Sequence, residues 1–178
     1  MKITSSGIKN CVIQDKYGKR GVDFIQDMPS LSLPVSISEA PKETKSFALI
    51  LDDKDAVPVC GKIWIHWLAA NIPPFYGVPM KEKNENHGEK EVFIEEGASQ
   101  NHPFFVQGVN SWKDALGVEK ASVYGGMAPP DKPHSYDLQV FALDELLDLQ
   151  NGFTHDELME KMQNHILATA LLQGCYTN

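Results

Sequence analysis

Cysteine is scarce in this sequence, and long apolar runs are absent. The three cysteines, Cys11, Cys60 and Cys175, are far apart and form neither a C-x-x-C pair nor a metal-ligand spacing. We therefore expect reduced thiols in a cytoplasmic setting. No stretch approaches the roughly 18 apolar residues of a membrane span, and residues 1–10 contain no apolar signal segment. We expect a cytoplasmic protein without membrane insertion.

Positive charge is also in short supply. The chain has 16 lysines and arginines against 24 aspartates and glutamates, a formal net charge of −8. A net negative charge repels nucleic acid, because proteins bind phosphate backbones by neutralising them with lysines and arginines. We expect no nucleic-acid partner. A site for an anion would have to rely on histidines, neutral donors or backbone N–H groups.

The common motifs for nucleotide, hydrolase and calcium sites are missing. There is no G-x-x-x-x-G-K-[ST] loop, no G-x-G-x-x-G turn and no G-x-S-x-G elbow. Asp52, Asp53 and Asp55 resemble the start of a calcium loop, but the later glycine and bidentate glutamate of an EF-hand are absent. The sequence therefore predicts no cofactor and no metal.

Strand patterns dominate the first four fifths of the chain. The length of 178 residues and the 42% hydrophobic content fit one domain over residues 1–178. Alternating or continuous apolar runs predict strands over 31–37, 47–51, 63–72, 104–106 and 136–142. Pro34 lacks a ladder donor, which predicts that the first of these strands lies at a sheet edge. The fold class is mainly β.

The C-terminal region has a helical pattern instead. Thr154 and Glu157 have the spacing of a capping box. Apolar residues then recur at helical spacing at Leu158, Met162, Ile166 and Ala170. Gly174 follows as a suitable residue beyond the helix end. The pattern predicts a helix over 155–172, and a second short helix is predicted over 111–116.

Two segments do not look like ordinary strands or turns. The first, DDKDAVP at 52–58, follows a buried strand and leads into IWIHW at 63–67. The second, VYGGMAPPDKPHSY at 123–136, precedes another strand. Each contains one histidine, His66 or His134. Taken singly, a buried histidine is usually a hydrogen-bonded core residue, and tandem prolines usually mark a rigid turn.

Together the two segments resemble the signature regions of the phosphatidylethanolamine-binding protein family, which includes the Raf kinase inhibitor proteins. The prokaryotic branch is the most similar in length. The first signature, D-P-D-A-P followed by W-x-H, is matched by Asp53, Asp55, Ala56, Trp64 and His66. The second, Y-x-G-x-x-P-P followed by H-R-Y, is matched by Tyr124, Gly126, Pro129, Pro130, His134 and Tyr136. Between them, FVQGVNSW at 105–112 resembles the family's Q-G-x-N-D-F stretch.

The resemblance implies an antiparallel β-sandwich with a few peripheral helices. It also implies a small pocket for phosphate-like or acetate-like anions, including the phosphoethanolamine head group. Carried over residue by residue, the ligand-binding set is Asp53, Asp55, Trp64, His66, Tyr124, Gly126, Pro129, His134 and Tyr136. In this interpretation the two histidines, the Tyr136 hydroxyl and backbone N–H groups near Gly126 donate to the anion. Asp53 orients a histidine or accepts the ligand's ammonium group.

Three residues depart from the family pattern. Lys54 replaces the first proline of the acidic turn, and Val57 stands where the second proline is expected, with Pro58 one position later. Ser135 replaces the arginine of H-R-Y. Loss of that arginine charge would weaken anion binding if the arginine contacted the ligand or braced the pocket.

Two other functions use the same residues. In a catalytic triad, an Asp–His pair orients and activates the nucleophile. A hydrolase is therefore one alternative, with Cys60, Ser111 or Ser135 as the nucleophile. Nothing around these three residues indicates activation. The other alternative is an interaction module, since members of the family modulate kinases or proteases by surface contact. Analogy with the family also suggests a homodimer. The sequence favours a non-catalytic protein that binds a small anion.

Overall fold

A computed structural model describes residues 1–76, 92–101 and 104–177 of the chain. The strands are β1 Lys2–Thr4, β2 Ile8–Lys9, β3 Val12–Ile13, β4 Phe24–Ile25, β5 Met28–Pro29, β6 Val35–Ser38, β7 Ser46–Asp53, β8 Trp64–Ile72, β9 Val92–Ile94, β10 Val106–Gly108, β11 His134–Leu143 and β12 Ile166–Tyr176. The helices are α1 Val57–Cys60, α2 Ala98–Asn101, α3 Lys113–Leu116, α4 Val118–Ala121 and α5 His155–Met162. None of the helices in the described ranges has the length and hydropathy needed to cross a bilayer.

A seven-stranded sheet in the order β10-β8-β7-β11-β12-β3-β2 forms the centre of the fold. Its pairs are antiparallel except for β12 with β3. The apolar runs predicted as strands over 47–51, 63–72 and 136–142 are the three adjacent interior strands β7, β8 and β11. All eight residues of β7 are buried, because both faces of the sheet are covered.

The first face of this sheet packs against a three-stranded sheet of order β1-β6-β9. Val35 and Ile37 of β6 share one apolar cluster with Phe47, Leu49 and Leu51 of β7. This arrangement confirms the predicted antiparallel sandwich. The edge position predicted from Pro34 is wrong, since β6 pairs on both sides, and the proline lies just before the strand begins at Val35.

The second face is covered by α5 and the segment that precedes it. Leu147, Leu149 and Phe153 pack with Leu158 and Met162 against the alternate residues of β7, β8 and β11. The capping box predicted at Thr154 is present, with Thr154 Oγ1 accepting from Glu157 N and the glutamate accepting from the Thr154 backbone. The second short helix is also confirmed, as α3.

The predicted helix over 155–172 is wrong beyond Met162. Asn164 takes a left-handed backbone conformation (φ 71°), and residues 166–176 form the long strand β12. Gly174, expected just past a helix end, lies inside this strand. The spacing was misleading because residues four apart share a face in a strand as well as in a helix. Burial along β12 alternates, with Ala168, Ala170 and Leu172 packed against the core.

Substitution of two adjacent leucines tests this strand. Leu172 faces Leu138 in the core, whereas Leu171 pairs with Gln139 and is 54% exposed. We expect Leu172→Ala to lower the free energy of unfolding by about 1–2 kcal/mol, below the range for fully buried leucines because Leu172 is only partly buried. Leu171→Ala should change it by less than about 0.5 kcal/mol. Equal losses in urea denaturation would contradict the alternating strand.

Candidate functional site

The ends of three neighbouring strands meet at one cavity. β7 ends at Asp53, while β8 begins at Trp64 and β11 begins at His134, and the antiparallel pairing places Asp53 opposite both Trp64 and Tyr136. The cavity has a volume of about 190 Å³. Its lining comprises Asp53, Ala56, Val59, Cys60, Trp64, His66, Trp112, Gly126, Ala128, Pro129, Pro130, His134 and Tyr136.

A β-bulge directs His66 into this cavity. Leu51 and Asp52 are consecutive in β7, but their partners in β8 are Trp67 and Ile65, so His66 is an extra residue in the ladder. Beyond the bulge the alternation of faces is reversed, and Ile65 packs with the cluster on the second face. Bulges redirect a side chain in this way and are enriched beside functional sites. Without it, strict alternation would place His66 on the opposite face from Trp67.

The departures from the family pattern do not line the cavity. Lys54 donates to Asp137 Oδ2 at 2.6 Å on the other face of the sheet. Val57 begins α1, where Pro58 occupies the first turn and Gly61 ends the helix with φ 78°. This short helix supplies Val59 and Cys60 to the cavity wall. Ser135 is exposed, and its backbone N–H donates to Asp55 Oδ2.

The backbone N–H groups near Gly126 are already used within the protein. Gly125 N donates to His66 O, and Gly126 N donates to Pro29 O at 2.7 Å. A Cβ at Gly126 would lie 2.3 Å from the carbonyl oxygen of Tyr17, so only glycine fits this close backbone approach. The expectation that these two N–H groups donate to a ligand is therefore wrong, because they hold the loop in place.

His134 is held between two carboxylates. It is 1% exposed, and its Nδ1 lies 2.7 Å from Asp53 Oδ2 while its Nε2 lies 2.9 Å from Asp131 Oδ1. Both ring nitrogens donate to these acceptors when the imidazole is charged. Burial lowers the pKa of His134, but the hydrogen bonds to Asp53 and Asp131 outweigh it, and the pKa is raised overall. Neither ring nitrogen is left to donate to a ligand while Asp131 stays in contact.

His66 is in a different state. It is 3% exposed, and its Nδ1 lies 2.6 Å from the carbonyl oxygen of Gly125, which can only accept. The proton of the neutral ring is therefore on Nδ1, and Nε2 is an acceptor. Burial lowers the pKa of His66 against the opposing effect of the Gly125 and Gly126 carbonyls and of Asp53. The expectation that both histidines donate to an anion does not match these contacts.

Three buried polar atoms of lining residues have no hydrogen-bond partner among the described residues. They are His66 Nε2, Trp112 Nε1 and Tyr136 Oη. Burial raises the pKa of Tyr136, so its hydroxyl stays protonated and can donate. Trp112 packs edge-on against Trp64, with ring centroids 5.9 Å apart. The residues that line the cavity thus carry two neutral donors and one acceptor without partners.

Seven of the nine ligand-binding residues predicted from the sequence line the cavity: Asp53, Trp64, His66, Gly126, Pro129, His134 and Tyr136. The other two lie behind it. Tyr124 is fully buried, stacks edge-on against Trp67 and donates to the carbonyl of Tyr17, while Asp55 accepts from the backbone of β11. The core packing of Tyr124 leaves its hydroxyl no access to the cavity.

Sequence reasoning missed Trp112 and Asp131 as parts of the site. Trp112 ends the FVQGVNSW stretch, which was the one signal that could have identified it. Asp131 follows the tandem prolines, and its role depends on the loop bringing it back onto His134. In the part of the chain that the structure describes, no group of three or more His, Cys, Asp or Glu side chains is arranged to hold a metal ion.

Comparisons with known proteins agree with this fold. The family model described as phosphatidylethanolamine-binding protein matches residues 4–177. YxkA of Bacillus subtilis strain 168 is 37% identical over 170 residues, covering 92% of this chain and 93% of the relative. A UPF0098 protein of Chlamydia muridarum is 35% identical over 167 residues, covering 92% of this chain and 89% of the relative.

Solved structures have the same fold. The crystal structure of CT736 from Chlamydia trachomatis, described as a homologue of phosphatidylethanolamine-binding proteins, superposes with a TM-score of 0.76 at 31% identity, covering 99% of this chain and 97% of that one. YbcL of E. coli superposes with a TM-score of 0.72 at 24% identity, covering 99% of this chain and 98% of that one. This is a likeness of fold alone.

Neutralising Asp131 tests the double contact of His134. We expect Asp131→Asn to lower the pKa of His134, because one of the two carboxylates that favour the charged ring is removed. NMR titration of the imidazole signals measures this shift. The wild-type pKa is raised, so the contact stabilises the fold below about pH 6.5 and this contribution is lost as the pH rises through the raised value.

The matched control is Asp148→Asn, an exposed aspartate beyond the far end of β11, roughly 30 Å along the strand from His134. It should leave the pKa of His134 unchanged. A His134 pKa that is the same in wild type and Asp131→Asn would show that the second carboxylate does not contact the ring in solution.

Proposed function

The chain belongs to the phosphatidylethanolamine-binding protein family, and from that premise we propose that it binds a small phosphate-like anion in this cavity without catalysing a reaction on it. The observation that carries the proposal is the set of unpartnered polar atoms in the lining, His66 Nε2, Trp112 Nε1 and Tyr136 Oη. Native proteins leave few buried polar groups unpaired, and each one costs stability of about 1–3 kcal/mol.

A phosphoryl group matches this lining. Its oxygens accept hydrogen bonds, and the hydroxyl of Tyr136 and the indole N–H of Trp112 are neutral donors that suit a protein of net charge −8. Trp64 and Pro129 form apolar walls of the cavity. Hydrogen bonds to an anion are stronger in such a low-dielectric pocket than in bulk water.

The candidate nucleophiles support binding more than hydrolysis. Ser111 Oγ accepts from the backbone of Ile65, and Ser135 is exposed on β11, so neither lines the cavity. Cys60 does line it, but its thiol donates to the Lys62 carbonyl at 3.5 Å. A nucleophile activated for catalysis would instead be hydrogen-bonded to a base such as His66.

A pair of tyrosine-to-phenylalanine variants tests the binding site. Tyr136→Phe removes an unpartnered hydroxyl from the cavity, so we expect the Kd for inorganic phosphate to rise by about tenfold or more, the value of a hydrogen bond to a charged group. The fold should not lose stability. Tyr124→Phe removes a hydroxyl that bonds to Tyr17 in the core, so it should lower the free energy of unfolding by about 1 kcal/mol and leave the Kd unchanged.

Calorimetry with phosphate and phosphoethanolamine at about pH 6, together with thermal unfolding, gives both quantities. Equal Kd values for wild type and Tyr136→Phe would place the anion elsewhere. Release of inorganic phosphate from phosphoethanolamine during incubation would support a hydrolase instead. A kinase or protease partner captured equally by wild type and Tyr136→Phe would favour an interaction module that does not use the cavity.

A further inference from the structure

The donor and acceptor pattern of the cavity specifies more than a phosphate-like anion, and this inference rests on the function proposed above. Hydroxyl and indole N–H groups, from Tyr136 and Trp112, donate to ligand oxygens. His66 Nε2 does the reverse, because the bond from Nδ1 to the Gly125 carbonyl makes it an acceptor. A ligand that satisfies all three must therefore present acceptor oxygens and one hydrogen-bond donor.

We propose that the cavity selects the singly protonated, monoanionic form of a tetrahedral oxyacid group, whose O–H donates to His66 Nε2 while other oxygens accept from Tyr136 and Trp112. Phosphate monoesters and inorganic phosphate have such a form. A phosphodiester, the chemistry of an intact phospholipid head group, has no O–H on phosphorus. The cavity therefore favours free phosphate or a monoester over the phosphodiester of a lipid.

Charge around the cavity points the same way. The titratable groups that line the cavity together with His66 are Asp53 at the end of β7, His134 and Tyr136 on β11, and Cys60 of α1. Asp131 adds a carboxylate on His134 Nε2. Two carboxylates share one imidazolium, so the local charge disfavours a dianion more than a monoanion.

Phosphate and sulfate are the sharpest pair of probes, because they have nearly the same size and shape. At about pH 5.5 phosphate is mainly a monoanion with an O–H, since its second ionisation occurs near pH 6–7. Sulfate is a dianion without a proton. We expect phosphate to bind at least about tenfold more tightly by calorimetry at this pH, because an ionised oxygen would face the lone pair of Nε2.

A second comparison separates the two sources of the phosphoryl group. Phosphoethanolamine is a monoester and glycerophosphoethanolamine is the corresponding diester, and both have the same ammonium group. We expect the monoester to bind about tenfold or more tightly than the diester at about pH 5.5. The preference should shrink at about pH 8, where the monoester has lost its O–H. Methyl phosphate and dimethyl phosphate repeat the comparison with less change in size.

Two variants of His66 test the role of Nε2 directly. In His66→Asn the amide nitrogen can take the place of Nδ1 and donate to Gly125, but no atom replaces Nε2, so the preference for phosphate over sulfate should be lost. In His66→Gln the amide reaches the Nε2 position and its oxygen can accept, so part of the preference should be retained. The phosphate and sulfate titrations of the wild type need no variant to fold.

The outcomes separate this inference from the proposed function. Tight phosphate binding with weak sulfate binding supports both. Equal binding of phosphate and sulfate would mean that His66 is charged and donates, which overturns the inference while the anion site stands. Binding of neither ion would overturn both.

Discussion

The buried contact between Asp53 and His134 organises this site, because it joins the end of β7 to the start of β11 in the wall of the cavity. Burial of a charged pair is costly unless its other hydrogen-bonding positions are also satisfied. Here Asp53 Oδ1 accepts from Ala56 N, and His134 Nε2 contacts Asp131. The same bonds anchor the turn before α1 and the loop before β11, so both walls of the cavity depend on this pair.

The two histidines have opposite roles because their partners differ. His134 lies between carboxylates and is stabilised as a cation, whereas His66 is buried against a carbonyl oxygen and is stabilised as the neutral ring. His66 reaches the cavity only because the β-bulge opposite Leu51 and Asp52 reverses the alternation of β8. A short irregularity in an otherwise regular sheet therefore determines that the cavity contains an acceptor.

Much of the fold and of the cavity lining could be predicted from the sequence, where a feature depends on residues that are close together in the chain. The interior strands β7, β8 and β11 are continuous or alternating apolar runs, and the seven predicted residues that line the cavity lie in two short segments. The end of α5 could not be predicted in this way, because Leu158 and Met162 continue into a spacing that both helix and strand satisfy. Only the left-handed turn at Asn164 and the pairing of β12 with β11 decide between them.

The hydrogen bonds of the site could not be predicted from the sequence, for a different reason. Whether His66 donates or accepts depends on which backbone carbonyl its Nδ1 meets, and that carbonyl belongs to Gly125, 59 residues away along the chain. The partner of Gly126 N is likewise distant, at Pro29. Residue types alone suggest histidines and backbone N–H groups as donors, yet tertiary contacts already use those donors. The anion binding that we propose therefore depends on the neutral donors of Tyr136 and Trp112, and neutral donors are consistent with the proposed preference for one negative charge over two.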